Sequence, residues 1–193
     1  RPRDGGLMYT PPAFDETRPA VLSALIAAHP LALLVTAGDG TGPTANLIPM
    51  TAESGVLRAH LARANPQLAE LRAAQAAGRP VLAVFQGPQA YVSPGWYPSK
   101  AEHGRVVPTW NFLMVQVRGV PRVIDEPDWL AAQVAHLTDR LEAERPDPWS
   151  VADAPAPFVA AQLRGIVGLE LPMTARAGKW KASQNRSAAD RAG

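Results

Sequence analysis

The sequence contains no cysteine, and both charged and aromatic residues are scarce. Without cysteine the chain has no disulfide framework, no thiolate nucleophile and no cysteine-ligated zinc or iron–sulfur site. Charged residues make up 19% of the chain, and 19 basic against 17 acidic residues leave a net charge of +2. This balance does not supply the clustered positive charge of a nucleic-acid-binding surface. No apolar run reaches the ~20 residues that a membrane-spanning helix needs.

The hydrophobic fraction is 47% of 193 residues, which is enough to build a substantial core. We interpret residues 8–193 as a single domain and residues 1–7 as a native leader or a cloning remnant. The first residues lack the apolar stretch of a secretory signal. A core-forming domain without disulfides is typical of the cytoplasm, so we expect a cytoplasmic protein.

Short apolar runs separated by turn residues predict sequential, mostly antiparallel strands. Helical spacing predicts helices between them. The chain has no repeated strand–helix–strand unit with a glycine-rich phosphate loop, so a doubly wound fold is not expected. The pattern predicts a mostly β fold with helices, in the α+β class, as a closed or split β-barrel flanked by helices. The predicted strands cover residues 31–38, 44–52, 55–63, 80–87, 90–94, 109–125 and 166–175, and the predicted helices begin near residues 19, 65 and 127, with another within 147–165.

The sequence predicts the capping residues of two helices and the bounds of one loop. Thr17 is predicted to cap the first helix ahead of Pro19. Asn65 is predicted to cap the next, with Pro66 as its first residue and Gly78 at its end. The polar, Gly- and Pro-rich residues 95–107 are predicted to form a loop.

The first candidate site is the segment "AHLARANPQ", residues 59–67. Here a strand ends, Arg63 follows, and a helix begins. Free N–H groups at a helix start favour a phosphate, and an arginine can add a bidentate contact. An ordinary capped helix with a surface arginine is the alternative. His60 is the one histidine that we expect near a ligand at this position.

The second candidate site is the C-terminal segment "KWKASQNR", residues 179–186. On a strand, Lys179 and Lys181 share one face, and Trp180 points to the other, into the core. Compact hydrogen-bonding side chains and a second type of cation follow. The alternative is a frayed terminal tail. The residues that follow the strand in this segment are Ser183, Gln184, Asn185 and Arg186.

Aromatic residues could flank a planar ligand, although core packing or a dimer interface is the commoner role. They are Tyr91, Trp96, Tyr97, Trp110 and Phe112. The spacing shows no nucleophile–base set, no paired carboxylates and no metal pattern among the histidines. Catalytic residues therefore stay unassigned, and any chemistry belongs to a bound cofactor.

The motifs "HLARANPQ", "VPTWN" and "SQNR", in that order, resemble the PaiB family of FMN-binding negative transcriptional regulators. The resemblance runs from Met8 to the C-terminus. It implies an FMN-binding split barrel related to the pyridoxamine-phosphate oxidases. It also implies a homodimer with two flavin sites at the subunit interface.

The resemblance assigns roles to residues of both candidate sites. The segment Ala62, Arg63, Ala64 and Asn65 would hold the FMN phosphate. The strand that contains Asn46 and Leu47 would run along the isoalloxazine edge. The segment Lys181–Arg186 would reach the flavin, in its own or the partner's site, with Trp110 and Asn111 near the same interface.

The chain departs from the family pattern at four positions. Ala13, Leu47 and Gln116 stand where histidine is expected, and Phe112 stands where tyrosine is expected. If these positions share a pocket, its surface is less polar and less titratable than in relatives. The departures favour a retained flavin, or another planar ligand, beside a changed substrate side.

Three functions follow from the resemblance. The first is an FMN-dependent oxidoreductase or monooxygenase acting on a small aromatic or heteroaromatic substrate, with NAD(P)H or a partner reductase as electron donor. The second is a PaiB-like regulator, although no basic recognition helix supports direct DNA binding. The third is a haem-binding split barrel with His60 or His103 as ligand.

Overall fold

The structure is a computed structural model that describes residues 8–38, 40 and 42–192. The chain forms two compact units, each assembled from separated stretches of sequence. Within the described part, the first unit contains residues 8–29, 85–116 and 176–192, and the second contains residues 30–84 and 117–175. The predicted leader, residues 1–7, lies outside the described residues. The single domain expected over residues 8–193 stays a prediction.

Short strands and helices alternate along the described chain. The strands are β1 (Asp15–Glu16), β2 (Leu31–Thr36), β3 (Thr44–Pro49), β4 (Thr51–Glu53), β5 (Val56–Ala62), β6 (Val81–Val92), β7 (Thr109–Gly119), β8 (Arg122–Ile124), β9 (Ile166–Pro172) and β10 (Ala175–Lys181). The α-helices are α1 (Pro19–Ala28), α2 (Gln67–Ala76), α3 (Ser99–His103), α4 (Pro127–Glu142), α5 (Ala156–Arg164) and α6 (Ala188–Ala192). Short 3₁₀ helices cover Pro12–Phe14, Pro94–Trp96 and Val151–Asp153.

The second unit contains an antiparallel sheet in the order β4, β5, β9, β8. Its register pairs Leu57 with Leu171 and Leu61 with Val167. All four side chains are buried, so one face of this sheet forms the core of the unit. In the same unit, β2 pairs antiparallel with β3 and with the first residues of β6.

The first unit contains strands in the order β1, β10, β7, β6, and β1 pairs antiparallel with β10. Helix α1 packs closely on this sheet. A Cβ added at Gly178 would lie 2.3 Å from the side chain of Leu22, so glycine permits this approach. Leu25 and Ile26 of α1 are also buried. Antiparallel sheets with interspersed helices confirm the predicted α+β class.

Two segments that were each predicted as one strand are divided. Residues 44–52 form β3 and β4, and residues 109–125 form β7 and β8, with the members of each pair in different sheets. Beta strand β7 ends at Gly119, where a Cβ would lie 1.9 Å from the carbonyl oxygen of Pro172. Pro121 then removes a ladder donor ahead of β8.

The predicted cap at Thr17 is wrong, because Arg18 is the N-cap residue of α1. Val21 and Leu22 donate to the carbonyl of Arg18. The N–H of Arg18 donates to the carboxylate of Glu16 at 2.9 Å. The side-chain hydrogen-bond acceptor at this helix start is thus the carboxylate of Glu16, the residue before Thr17.

The loop predicted over residues 95–107 is partly wrong, because it contains α3. Pro98 precedes the helix, and Gly104 ends it in the left-handed conformation with φ of 67°. The N–H of Ser99 donates to the carboxylate of Asp190 at 3.2 Å. This acceptor comes from the far end of the chain, where local composition could not indicate it.

Candidate functional site

All three nitrogens of the Arg63 guanidinium are hydrogen-bonded within the second unit. Nη1 donates to Asp125 at 2.6 Å, Nη2 to the carbonyl of Ile166 at 3.0 Å, and Nε to the carbonyl of Arg164 at 3.3 Å. Asp125 also pairs with Arg72 at 2.8 Å. The hydrogen bond from Arg63, with the one from Arg72, holds the pKa of the Asp125 carboxyl below its usual value. Arg63 therefore has an acidic partner within the second unit, which it shares with Arg72.

Most N–H groups at the start of α2 already have acceptors. Asn65 donates to the carbonyl of Ala62 at 2.9 Å, and Leu68 donates to the carbonyl of Asn65 at 3.0 Å. The N–H of Gln67 donates to the side-chain oxygen of Asn65 at 3.0 Å, but the N-cap residue of α2 is Pro66 and its first residue is Gln67, each one residue later than predicted. In the part of the chain that the structure describes, the N–H of Ala64 has no acceptor. The phosphate role of Ala62–Asn65 stays a prediction, and the geometry favours Ala64 over Arg63 as its donor.

Asn46 donates to a buried glutamine that the sequence analysis missed. Its Nδ2 donates to Oε1 of Gln67 at 3.0 Å. Gln67 is 0% exposed, and its Nε2 donates to the carbonyl of Leu34 at 3.0 Å and to the hydroxyl of Thr36 at 3.2 Å. These bonds tie α2 to β2 and β3. The available signal was the position of Gln67, one helical turn before the buried Leu71.

Leu47 lies on an exposed apolar surface of the second unit, which we call the β2–β3 face. Directly paired residues of antiparallel strands point to the same side of a sheet. The register therefore places Leu31, Leu33, Val35, Ala45, Leu47, Pro49, Leu82 and Val84 on this face. Leu47 is 60% exposed and Leu31 is 52% exposed. A contiguous apolar surface of this kind is typical of a protein–protein interface.

His60 points away from the core face of β5. It is paired with Gly168, where a Cβ would lie 2.3 Å from the ring of Trp129 on α4. Its Nδ1 is buried and has no partner among the described residues. Burial lowers the pKa of His60, so its ring is neutral at physiological pH. A ligand contact for His60 stays a prediction.

Lys181, in the first unit, forms no ion pair with any described residue. Its Nζ donates to the hydroxyl of Thr109, and to the carbonyl of Trp110 at 2.7 Å. Burial lowers the pKa of Lys181, and the nearby charges of Lys179 and Arg186 lower it further. The ion pairs of the described chain include none of these three residues. We call Lys179, Lys181 and Arg186 the cation cluster.

Carbonyl groups and aromatic rings surround the other two members of the cation cluster. Lys179 donates to the carbonyl of Tyr9 at 2.8 Å and lies 5.4 Å from the ring centroid of Phe112. The guanidinium of Arg186 lies 4.9 Å from the ring centroid of Tyr97. Such contacts stabilise a cation without neutralising it. The cluster therefore keeps a positive charge that suits an anionic group.

The turn after β10 is ordered by its own side chains. Ala182 N–H donates to Oε1 of Gln184 at 2.7 Å, and Nε2 of Gln184 donates to the carbonyl of Trp180. Gln184 thus stabilises the turn, whereas Asn185 is exposed. Trp180 is half-buried, so the expectation that it enters the core is only partly met. Because the segment is docked, the interpretation as a frayed tail is wrong.

Ser183 and Asn111 are hydrogen-bonded to each other. Nδ2 of Asn111 donates to Oγ of Ser183 at 2.9 Å. Ser183 has a φ of 62°, the left-handed region that non-glycine residues seldom adopt. Both line a cavity of about 210 Å³, which we call the C-terminal cavity. Its other lining residues are Val92, Trp96, Tyr97, Ala182, Asp190 and Arg191.

Trp110 borders a different cavity of the first unit. The side chain is 51% exposed, and its Nε1 donates to Gln89 at 3.0 Å. The ring of Tyr91 meets it edge-on, with centroids 6.0 Å apart. Gln89, Trp110 and Phe112 contribute to a cavity of about 310 Å³. The predicted aromatic residues therefore do not form one group. Trp110 and Phe112 line this cavity, whereas Trp96 and Tyr97 line the C-terminal cavity.

Metal-binding side-chain clusters and long apolar helices are both absent from the described residues. No group of three or more His, Cys, Asp or Glu side chains is arranged to hold a metal ion within residues 8–38, 40 and 42–192. Over the same residues, every helix is too short or too polar to cross a bilayer.

Comparison with known sequences gives a family match over most of the chain. A profile of the family described as "Putative FMN-binding domain" matches residues 8–175. An uncharacterized protein of Emericella nidulans is 32% identical over 223 residues, covering 96% of this chain and 88% of that protein. Protease synthase and sporulation protein PAI 2 of Bacillus subtilis is 28% identical over 187 residues, covering 95% and 85%. These matches confirm the resemblance drawn from the motifs.

Solved structures share the fold. A flavocytochrome from Azotobacter vinelandii has a TM-score of 0.69 at 15% identity, covering 99% of this chain and 80% of that one. An FAD- and heme-binding protein from Mycobacterium smegmatis has a TM-score of 0.64 at 20% identity, covering 92% and 78%. At these identities the likeness concerns the fold alone, and it confirms the predicted split-barrel class.

Proposed function

Because this chain belongs to the FMN-binding-domain family, we propose that it is an FMN-dependent oxidoreductase or monooxygenase that acts on a small aromatic or heteroaromatic substrate. The flavin and the split-barrel fold come with the family. The substrate class and the residue roles are the proposal. The observation that carries it is the cation cluster, which forms no ion pair with a described residue and lies beside the rings of Phe112 and Tyr97.

The cation cluster fits the negative charge of FMN. A lysine ammonium has three donors, and two of those of Lys181 are used by Thr109 and Trp110. The remaining donor is available to a phosphate oxygen or to the electron-rich N1–C2=O edge of the ring. Asn111 and Ser183 add neutral hydrogen-bonding groups in the same unit. In this proposal Arg186 contributes charge, and Gln184 and Asn185 shape the turn.

The second unit, taken by itself, contains further residues to which the proposal assigns a cofactor role. The N–H of Ala64 is the donor for an anion, and Arg63 keeps β5 and β9 joined. Asn46 orders β3 through Gln67, so that the backbone of β3 can follow the ring edge. Leu47, on β3, and His60, on β5, are the other residues of the second unit that the proposal assigns to cofactor binding.

When bound, the flavin supplies two-electron redox chemistry, with NAD(P)H or a partner reductase as the donor. The residues of the chain bind and orient the ring, and the aromatic side chains exclude water. Ala13, Leu47 and Gln116 cannot carry a proton as the histidines expected at these positions would. The proposal therefore assigns no acid or base to these three positions.

The flavin proposal is tested by the visible spectrum and by titration. Purified protein should take up FMN and show the bands of oxidised flavin. Lys181→Gln should weaken FMN binding by about 10- to 150-fold, the equivalent of one lost charge-assisted hydrogen bond. Lys100→Gln, an exposed lysine of α3, is the matched control. Equal FMN affinity in the Lys181 variant and wild type would remove the cation cluster from the site.

Riboflavin, which lacks the phosphate, shows whether Lys181 contacts the phosphate or the ring edge of FMN. If Lys181 holds the phosphate, its substitution should leave riboflavin binding unchanged. If it holds the ring edge, both ligands should lose affinity. A colourless protein that takes up no FMN would overturn the function proposed here.

We also propose that two copies of the chain associate through the β2–β3 face. The face is uncharged and apolar across three strands, which suits a second copy of itself. Leu47→Glu should convert the dimer to monomer in light scattering after gel filtration. Leu141→Glu, at an exposed leucine of α4, is the control. A dimer that persists in the Leu47 variant would exclude this interface.

Haem binding is a second candidate, favoured by the neutral ring of His60 and its unpartnered Nδ1. A Soret band that disappears in His60→Ala would support it.

A PaiB-like regulator is the remaining alternative. Arg72 of α2 pairs with Asp125 and is thereby drawn away from a DNA-binding role. Titration of promoter DNA at physiological salt tests that alternative directly.

A further inference from the structure

We propose that the C-terminal cavity is the substrate subsite and that it takes a small planar aromatic carboxylate. The inference rests on the proposed function and deepens it, because it names the chemical class of the substrate. It depends on the size of the cavity, its aromatic wall, its charge and its unpaired polar groups.

The cavity is too small for a large ligand. Its volume of about 210 Å³ lies below the roughly 300–1,000 Å³ of pockets for drug-sized molecules. One ring with one or two substituents is the appropriate size. Two aromatic side chains form part of the wall, Trp96 at 57% exposure and Tyr97 at 3%. An exposed indole beside a cavity offers a flat surface on which a planar ring can stack.

The charge around the cavity favours an anion. Arg191 lines it, and no acidic partner for its guanidinium occurs among the described residues. Asp190, which also lines it, accepts from the N–H and hydroxyl of Ser99 at 3.2 Å and 2.9 Å and keeps its negative charge, which Arg186 partly offsets. Arg186 adds a further positive charge on the ring of Tyr97. A carboxylate matches the fork of donors that an arginine presents.

Polar groups at the cavity have unused hydrogen-bonding capacity. The hydroxyl of Tyr97 is buried and has no partner in the described chain. Such a group costs free energy unless a ligand or water pairs with it, and it needs an explanation. Asn111 and Ser183 bond to each other, which leaves one amide N–H of Asn111 available. The uncommon backbone conformation of Ser183 keeps this pair at the cavity wall.

Benzoate is the probe for the aromatic anion, with benzamide as its neutral counterpart and acetate as the anion without a ring. Calorimetry on the full chain, with and without FMN, should show one benzoate per chain. Arg191→Gln should weaken benzoate binding at least tenfold and leave benzamide binding unchanged. Arg140→Gln, an exposed helical arginine of α4, is the matched control. No benzoate binding, or equal binding in the Arg191 variant, would overturn the subsite.

Two further results separate the parts of the inference. Acetate that binds as tightly as benzoate would refute the aromatic requirement. Tyr97→Phe should reduce benzoate affinity several-fold if the ligand pairs with the hydroxyl. Unchanged benzoate affinity in this variant, with a higher unfolding temperature, would refute the role of the hydroxyl.

The same titrations distinguish failure of the subsite from failure of the flavin proposal. FMN affinity should be unchanged in Arg191→Gln, because Arg191 is not part of the cation cluster. Uptake of FMN without benzoate binding would overturn the subsite alone. Benzoate binding by a chain that takes up no FMN would overturn the flavin function and leave an aromatic-acid site standing.

Discussion

Substitution of Arg63 tests whether this residue holds a phosphate or holds the second unit together. Arg63→Gln removes the contacts to Asp125 and to the carbonyls of Ile166 and Arg164. The side chains of Arg63 and Asp125 are 44% and 46% exposed, so solvent screens their ion pair and its contribution is about 0–1 kcal/mol. The two bonds to carbonyls add about 0.5–1.5 kcal/mol each. We expect a total loss of about 1–4 kcal/mol in the free energy of unfolding.

Thermal unfolding and FMN titration of the same variant separate the two roles. The loss of stability corresponds to a fall of about 2–16 °C in the unfolding temperature for a chain of this size. FMN affinity should change less than about threefold, because the guanidinium donors of Arg63 are already engaged by Asp125 and two carbonyl groups. Arg140→Gln should change neither quantity. An unfolding temperature equal to wild type, together with FMN binding weakened about 10- to 150-fold, would refute the structural role and restore the phosphate contact.

Three other predictions concern buried or partly buried groups. The pKa of Lys181 is lowered, and an anion binds its charged form more tightly than its neutral form. FMN affinity should therefore fall as the pH rises through the pKa of Lys181. In titrations across alkaline pH, Lys181→Gln should abolish this fall. Gln67→Leu should lower the free energy of unfolding, measured in urea, by about 2–4 kcal/mol, because the carbonyl of Leu34 and the amide of Asn46 lose their hydrogen-bond partner. The control Gln162→Leu, at an exposed position of α5, should change the free energy of unfolding by less than about 0.5 kcal/mol. The pKa of Glu16 is lowered from 4.5 to about 2, chiefly by the side-chain hydrogen bond from Arg18. The stabilising contribution of Glu16 is therefore complete above about pH 4.5 and is lost as the pH falls towards 2. In urea unfolding, the stability difference between wild type and Glu16→Gln should disappear over that pH interval.

The strands and helices were predictable where local pattern and tertiary context agree. Apolar runs between glycine-rich turns indicated β2 and β5, and α2 and α4 followed from helical spacing with proline near the start. The division of residues 109–125 into β7 and β8 was not predictable, because it depends on the approach of Pro172 to Gly119. A strand pattern records which side chains are apolar, and it does not record where a neighbouring strand crosses.

The candidate site was predictable as a set of residue types and less so as a set of contacts. The alternation of Lys179 and Lys181 indicated a docked strand, which β10 confirms. The partners of Arg63 and of Ser99 lie 62 and 91 residues away along the chain, so no local signal pointed to them. Long-range hydrogen bonds of this kind decide which polar groups remain available to a ligand.

The sequence by itself determined the α+β class, the family and the presence of two cationic segments. These depend on residue identity, on spacing within one element and on motifs in a set order. Only the tertiary structure decided that Arg63 forms an ion pair with Asp125 whereas Lys181 forms none with a described residue. The physical reason is that the free charge of a side chain depends on the groups within a few ångströms of it, and folding brings those groups from distant parts of the chain.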